Sequence, residues 1–88
     1  MNLQALLVLL QQDRELVDLL FELELLPRDV DSYADEQVEH ALVARTLVRE
    51  LEVNGPGVEI ILRMRSELIA TRRQVAELIT QLRDRRKI

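Results

Sequence analysis

His40 is the only histidine in the chain, and Glu36 and Glu39 stand close to it in sequence. A histidine beside carboxylates can ligate a metal or move a proton. These three side chains do not form a convincing ligand set, and His40 is expected as a solvated surface residue. Cysteine is absent, which removes disulfides and thiolate metal sites. No Gly-rich phosphate loop and no nucleophile elbow occurs. The many carboxylates have no apolar cleft apparent in the sequence to shift their pKa values. The sequence therefore predicts no catalytic residue, no metal and no cofactor: a non-enzymatic protein that works by binding.

The charges are unevenly placed. Residues 1–57 carry 4 basic and 12 acidic residues, and residues 58–88 carry 8 basic and 4 acidic ones. An acidic first part and a basic last part suggest two distinct surfaces, although plain solubility accounts for any single carboxylate. Arg72-Arg73 and Arg83-Asp84-Arg85-Arg86-Lys87 are the basic clusters. They could address phosphates, but cations near a helix C-terminus also complement its macrodipole. No aromatic residues interleave with them for base stacking.

The elements that hold these charges are all expected to be helices. The chain has 88 residues, enough for one small domain, and its only aromatics are Phe21 and Tyr33. Gly55, Gly57, Pro27 and Pro56 supply too little turn chemistry for a sheet. Residues 2–11 predict a first helix with Leu3, Leu6, Leu7 and Leu10 at helical spacing. This apolar run is too short to span a bilayer and lacks a basic n-region and cleavage site, so the expected compartment is the cytoplasm. Asp13 is the expected N-cap of a second helix reaching about Glu24, with Leu16, Leu19, Leu20 and Leu23 as its buried stripe. Leu25–Ser32 reads as an extended connection.

A third helix is predicted from Asp35 to Leu51, with Val38, Leu42, Val48 and Leu51 facing inward. Asn54-Gly55-Pro56-Gly57 is the strongest stop signal and divides a head, residues 1–57, from a tail, residues 58–88. The tail predicts a helix of roughly 28 residues, about 42 Å at 1.5 Å per residue. Ile61, Met64, Leu68, Val75, Leu78 and Leu82 follow a 3-4 spacing, interrupted by Thr71, as in a coiled-coil seam. Leu68, Val75, Leu78 and Leu82 are the candidate residues for pairing two copies of the chain. The alternative is that the stripe packs only on the chain's own head.

The order of these elements carries a resemblance. Leu25-Leu26-Pro27-Arg28 after two short helices, then Tyr33-Ala34-Asp35-Glu36-Gln37-Val38 opening a third, resembles the MerR-type winged helix-turn-helix family. That family has an xGLLxP segment, a wing and a Tyr-led helix start. Glu50-Leu51-Glu52-Val53-Asn54-Gly55-Pro56-Gly57-Val58, followed by Ile61-Leu62 and Met64, is similar to a turn in a branch of that superfamily. This branch is the chaperone-modulator family of CbpM type. The implied fold is all-α: a small MerR-like helix-turn-helix head with a reduced wing, then a long C-terminal coiled-coil helix.

Membership of that branch implies binding to the J-domain of a DnaJ- or CbpA-like co-chaperone and regulation of its work with the Hsp70 chaperone DnaK. The J-domain family presents a basic helix to Hsp70. The carboxylates expected to meet it are Asp13, Glu15, Asp18 and Glu22 on the second helix, with Asp35, Glu36 and Glu39 on the third. The alternative within the superfamily is a MerR-type DNA-binding regulator. Three departures weigh against it: an anionic second helix where counterion release needs cations, a wing cut to about Arg28–Ser32, and Glu24 where the family has glycine. A plain helical adaptor, or a toxin–antitoxin-like partner, is a third reading.

Overall fold

Three helix starts in this chain, at Leu3, Arg14 and Gly55, are set by short polar side chains. Asn2 Oδ1 accepts a hydrogen bond from the Ala5 N–H (2.9 Å), Asp13 Oδ1 from Leu16 (3.2 Å) and Asn54 Oδ1 from Gly57 (2.8 Å). Each satisfies a donor that the first turn of a helix leaves unpaired. The computed structural model describes residues 1–86, in which the elements are α1 (Leu3–Leu9), α2 (Arg14–Glu22), α3 (Asp35–Arg45) and α4 (Gly55–Arg86). A π-helical turn, Thr46–Glu50, continues α3. The protein is all-α, with no strand among the described residues. Lys87, the end of the last basic cluster, lies outside the described residues. Among those residues no helix is long and apolar enough to cross a membrane.

Both of the first helices end sooner than the periodicity predicts. Gln11 and Gln12 follow α1 with φ of 59° and 61°, and Glu24 follows α2 with φ of 58°. The Leu25 N–H donates to the Leu20 carbonyl (2.9 Å) and Glu24 to Phe21 (3.0 Å), the two bonds of a Schellman cap. An L-residue with a side chain pays about 1–2 kcal/mol for the left-handed conformation that glycine adopts freely. Glu24→Gly is therefore expected to raise stability by about 1 kcal/mol, read as a higher urea midpoint with an unchanged slope.

The core joins all four helices. Leu6, Leu7 and Leu10 from the α1 segment meet Leu16, Val17 and Leu20 of α2 and Leu26 and Tyr33 of the connection. Ala41, Ala44 and Leu47 close it from α3 and the π turn, and Val58 and Leu62 from α4. Tyr33 is buried; its hydroxyl donates to the Pro27 carbonyl (2.9 Å), fastening the connection between α2 and α3. The remainder of the expected wing, Arg28–Ser32, is exposed and irregular.

The inward face of α3 differs from the expectation. Leu42 and Leu51 are exposed, and Val38 and Val48 are only half-buried. The buried positions are the alanines, Ala41 and Ala44, which have little hydrophobic signal but allow close helix approach. Leu51 is turned outward by the π segment, where the Leu51 N–H donates to the Thr46 carbonyl five residues back. The wider turn carries position 51 past the face that a 3.6-residue period would give it.

The last helix begins at Gly55, three residues before the predicted start. Asn54 caps it, and Pro56 stands in the first turn, where its missing N–H costs no helical bond. A Cβ on Gly57 would lie 2.7 Å from Val53 Cγ1, and one on Gly55 3.3 Å from Leu19 Cδ1 of α2. Val53 and Val58, at the N′ and N4 positions, both belong to the core, as in a hydrophobic staple. Only Val58 and Leu62 of α4 are buried. The helix has 32 residues, about 48 Å at 1.5 Å each, and its residues 70–86 are all exposed.

Candidate partner-binding surface

Seven carboxylates are the sequence-predicted contacts, and the structure divides them into groups. Asp13 is committed to the fold. Besides capping α2, it receives two hydrogen bonds from Arg49, from Nε and Nη2, both at 2.7 Å. Glu15 lies 3.5 Å from the same guanidinium, with its side chain 91% exposed. This arrangement ties the start of α2 to the π turn after α3, a local clamp between distant parts of the chain.

The Arg49 hydrogen bonds hold the Asp13 carboxyl below its ordinary range. Burial opposes them, and the Leu16 N–H and the charges of Arg49 and Arg45 act in the same direction as the Arg49 bonds. Because the folded value lies below the unfolded one, this contribution to stability is fully present above about pH 4. It is lost as pH falls through the folded value. Asp13→Asn is expected to lower the urea midpoint at neutral pH. The gap between variant and parent should shrink in strong acid, where both carry a neutral side chain.

Asp18 and Glu22 are exposed one turn apart on α2. Asp35 and Glu36 are exposed in the first turn of α3, where negative charge suits the helix macrodipole. The side chain of Glu39 is 63% exposed and stands 3.7 Å from Arg65 of α4. Among the described residues, Asp18, Glu22, Asp35 and Glu36 are thus the predicted acids with no ion-pair partner.

Beside them is a feature that sequence reasoning missed. An open groove of about 660 Å³ runs between the end of α2 and the start of α3. Phe21, Leu25 and Pro27 give it apolar lining, and Glu22, Glu24 and Asp29 give it acidic edges. Phe21 and Leu25 are half-buried against the core. The Arg28 guanidinium sits 5.2 Å from the Phe21 ring centroid, which holds both side chains in place. The only signals for this groove were the single phenylalanine and the Leu-Leu-Pro run. Periodicity gives no hint that they converge, because the Glu24 cap makes the turn that brings them together.

His40 is half-buried rather than solvated. Its Nε2 lies 3.3 Å from the Ser66 hydroxyl, linking α3 to α4. Neighbouring Glu39 turns to Arg65, so the structure brings no ligand set to His40. Among the described residues no cluster of three or more His, Asp or Glu side chains could hold a metal ion.

The four predicted pairing residues are all solvent-exposed on α4: Leu68 by 50%, Val75 by 50%, Leu78 by 58% and Leu82 by 59%. Nothing in the head covers them. No protein-family model matches the chain, and no curated protein or solved structure matches it either.

Proposed function

We propose that this chain is a non-catalytic modulator that binds the J-domain of a DnaJ- or CbpA-like co-chaperone and restrains its work with Hsp70. The observation that carries the reading is the groove in which Phe21, Leu25 and Pro27 offer an apolar patch within a mainly polar lining, with exposed acids on the adjoining turns of α2 and α3. A basic helix could place its cations beside Asp18, Glu22, Asp35 and Glu36 while an apolar side chain enters the groove. Charge would speed and orient the encounter, and the groove would supply affinity. The family resemblance names the basic helix of a J-domain as the occupant. The left-handed backbone at Glu24 supports that resemblance, since the xGLLxP pattern places glycine at this position.

DNA is a poor occupant of the same surface. Asp18 and Glu22 face outward on the helix that would enter a groove, and they repel phosphate. The expected consequence of the chaperone reading is competitive. Adding the chain to Hsp70 and its J-protein should lower J-domain-stimulated ATP turnover and leave the basal turnover of Hsp70 unchanged. Unaltered stimulation at saturating chain would contradict it.

A further inference from the structure

The groove between α2 and α3 holds a cation of its own. Between Arg14 and Arg45 the chain carries nine carboxylates and a single Lys or Arg, which is Arg28. That cation makes no ion pair among the described residues. It lies instead over the chain's only phenylalanine, with its guanidinium carbon 5.2 Å from the Phe21 ring centroid. Phe21 is half-buried and packed on the core, whereas Arg28 is exposed. Glu22, Glu24 and Asp29 line the same groove, all exposed and none of them in an ion pair among the described residues.

An aromatic face ringed by carboxylates is a site for a cation: the ring quadrupole attracts it and the carboxylates add Coulomb attraction. Three carboxylates against one guanidinium leave the groove with uncompensated negative charge. It therefore attracts a second cation, while its stacking face is already taken. A cation–π contact at an exposed position is weak, and no ion pair anchors Arg28, so the face is open to exchange.

We propose that Arg28 is a placeholder for an arginine of the partner. On binding, the partner's guanidinium stacks on Phe21 among Glu22, Glu24 and Asp29, and Arg28 swings out to solvent. The inference rests on the chaperone reading only in taking the partner to be a basic helix. Arginine is chosen over lysine because the planar, weakly hydrated guanidinium stacks on a ring, whereas an ammonium is a compact and strongly hydrated charge. Leu25 and Pro27 stay free for an apolar neighbour of that arginine. The arrangement selects among cationic ligands. A ligand that brings a stacking guanidinium replaces the contact it breaks, and one that brings only positive charge leaves Arg28 in place and is repelled by it.

The single phenylalanine makes a direct test possible, because in a chain labelled with 13C-phenylalanine every ring signal belongs to Phe21. The probes are acetyl-tetra-arginine amide and acetyl-tetra-lysine amide, followed by NMR. Tetra-arginine should shift the Phe21 ring signals and return the Arg28 side-chain protons, moved upfield by the ring in the free chain, to their ordinary positions. Tetra-lysine at the same concentration should do less. Arg28→Gln should bind tetra-arginine roughly two- to fivefold more tightly, the value of the contact that no longer has to be broken. Arg14→Gln removes the same charge at the other end of α2 and should tighten binding clearly less. Unmoved Phe21 signals, equal shifts by the two probes, or an Arg28→Gln variant that binds more weakly or no better than Arg14→Gln would overturn the proposal. The same variants titrated against the J-domain separate the two readings. Exchange seen with tetra-arginine but no J-domain binding by the parent leaves the placeholder standing and removes the chaperone reading. J-domain binding that Arg28→Gln weakens or leaves unchanged removes the placeholder and leaves the chaperone reading standing.

Discussion

Leu10→Ala is expected to destabilise the head by about 2–5 kcal/mol, the range for emptying a fully buried leucine site. Leu10 has no exposed surface and lies at the junction of α1 with the turn into α2. Its N–H donates to the Leu6 carbonyl, and the next two residues adopt the left-handed cap, so the backbone there has little freedom to collapse into the space. A domain of this size is held by about 0.05–0.15 kcal/mol per residue, so the loss is a large share of the total. Urea unfolding followed by far-UV circular dichroism would read it. Val8→Ala is the control: Val8 is on the same helix but 66% exposed, and a surface change of this kind moves stability by less than about 0.5 kcal/mol. Equal effects of the two variants would contradict the placement of α1 on the core.

The second large effect is on binding. Replacing Asp18 and Glu22 together by lysine should weaken J-domain binding roughly ten- to hundredfold at low salt, with a smaller loss at high salt. Both residues are exposed, and neither makes an ion pair among the described residues, so stability should stay within about 0.5 kcal/mol of the parent. Asp13→Asn should show the opposite pattern, because Asp13 is held by Arg49 and by its cap. It should lose stability and keep affinity once folded. Equal affinity for the parent and the lysine variant would remove the acidic face of α2 from the interface.

These contrasts separate what the sequence made legible from what it did not. Leu6, Leu7 and Leu10 of the first stripe and Leu16 and Leu20 of the second could be read because large aliphatic residues recur at helical spacing, whereas Leu19 and Leu23 are only half-buried and Val17 takes the remaining core place on α2. Asn-Gly-Pro-Gly could be read as a boundary because glycine and proline punctuate helices, but its last three residues form the capped first turn of α4 where the sequence predicts a stop. The face of α3 was hidden because alanines bury it and a π turn changes its period, so Leu42 and Leu51 mislead. Among the candidate contacts, Asp13 and its neighbours look alike in sequence. Only the fold, by bringing Arg49 across from the π turn, distinguishes a structural carboxylate from a free one. The groove was hidden for a related reason: Phe21 and Gln37 line it together while standing far apart in the chain.

The most direct test of the chaperone reading is a calorimetric titration of this chain against the J-domain of its host's DnaJ-like co-chaperone, at low and at high salt. The account predicts micromolar or tighter binding that weakens as salt screens the acids around the groove. Absence of heat and of binding at both salt concentrations would contradict it.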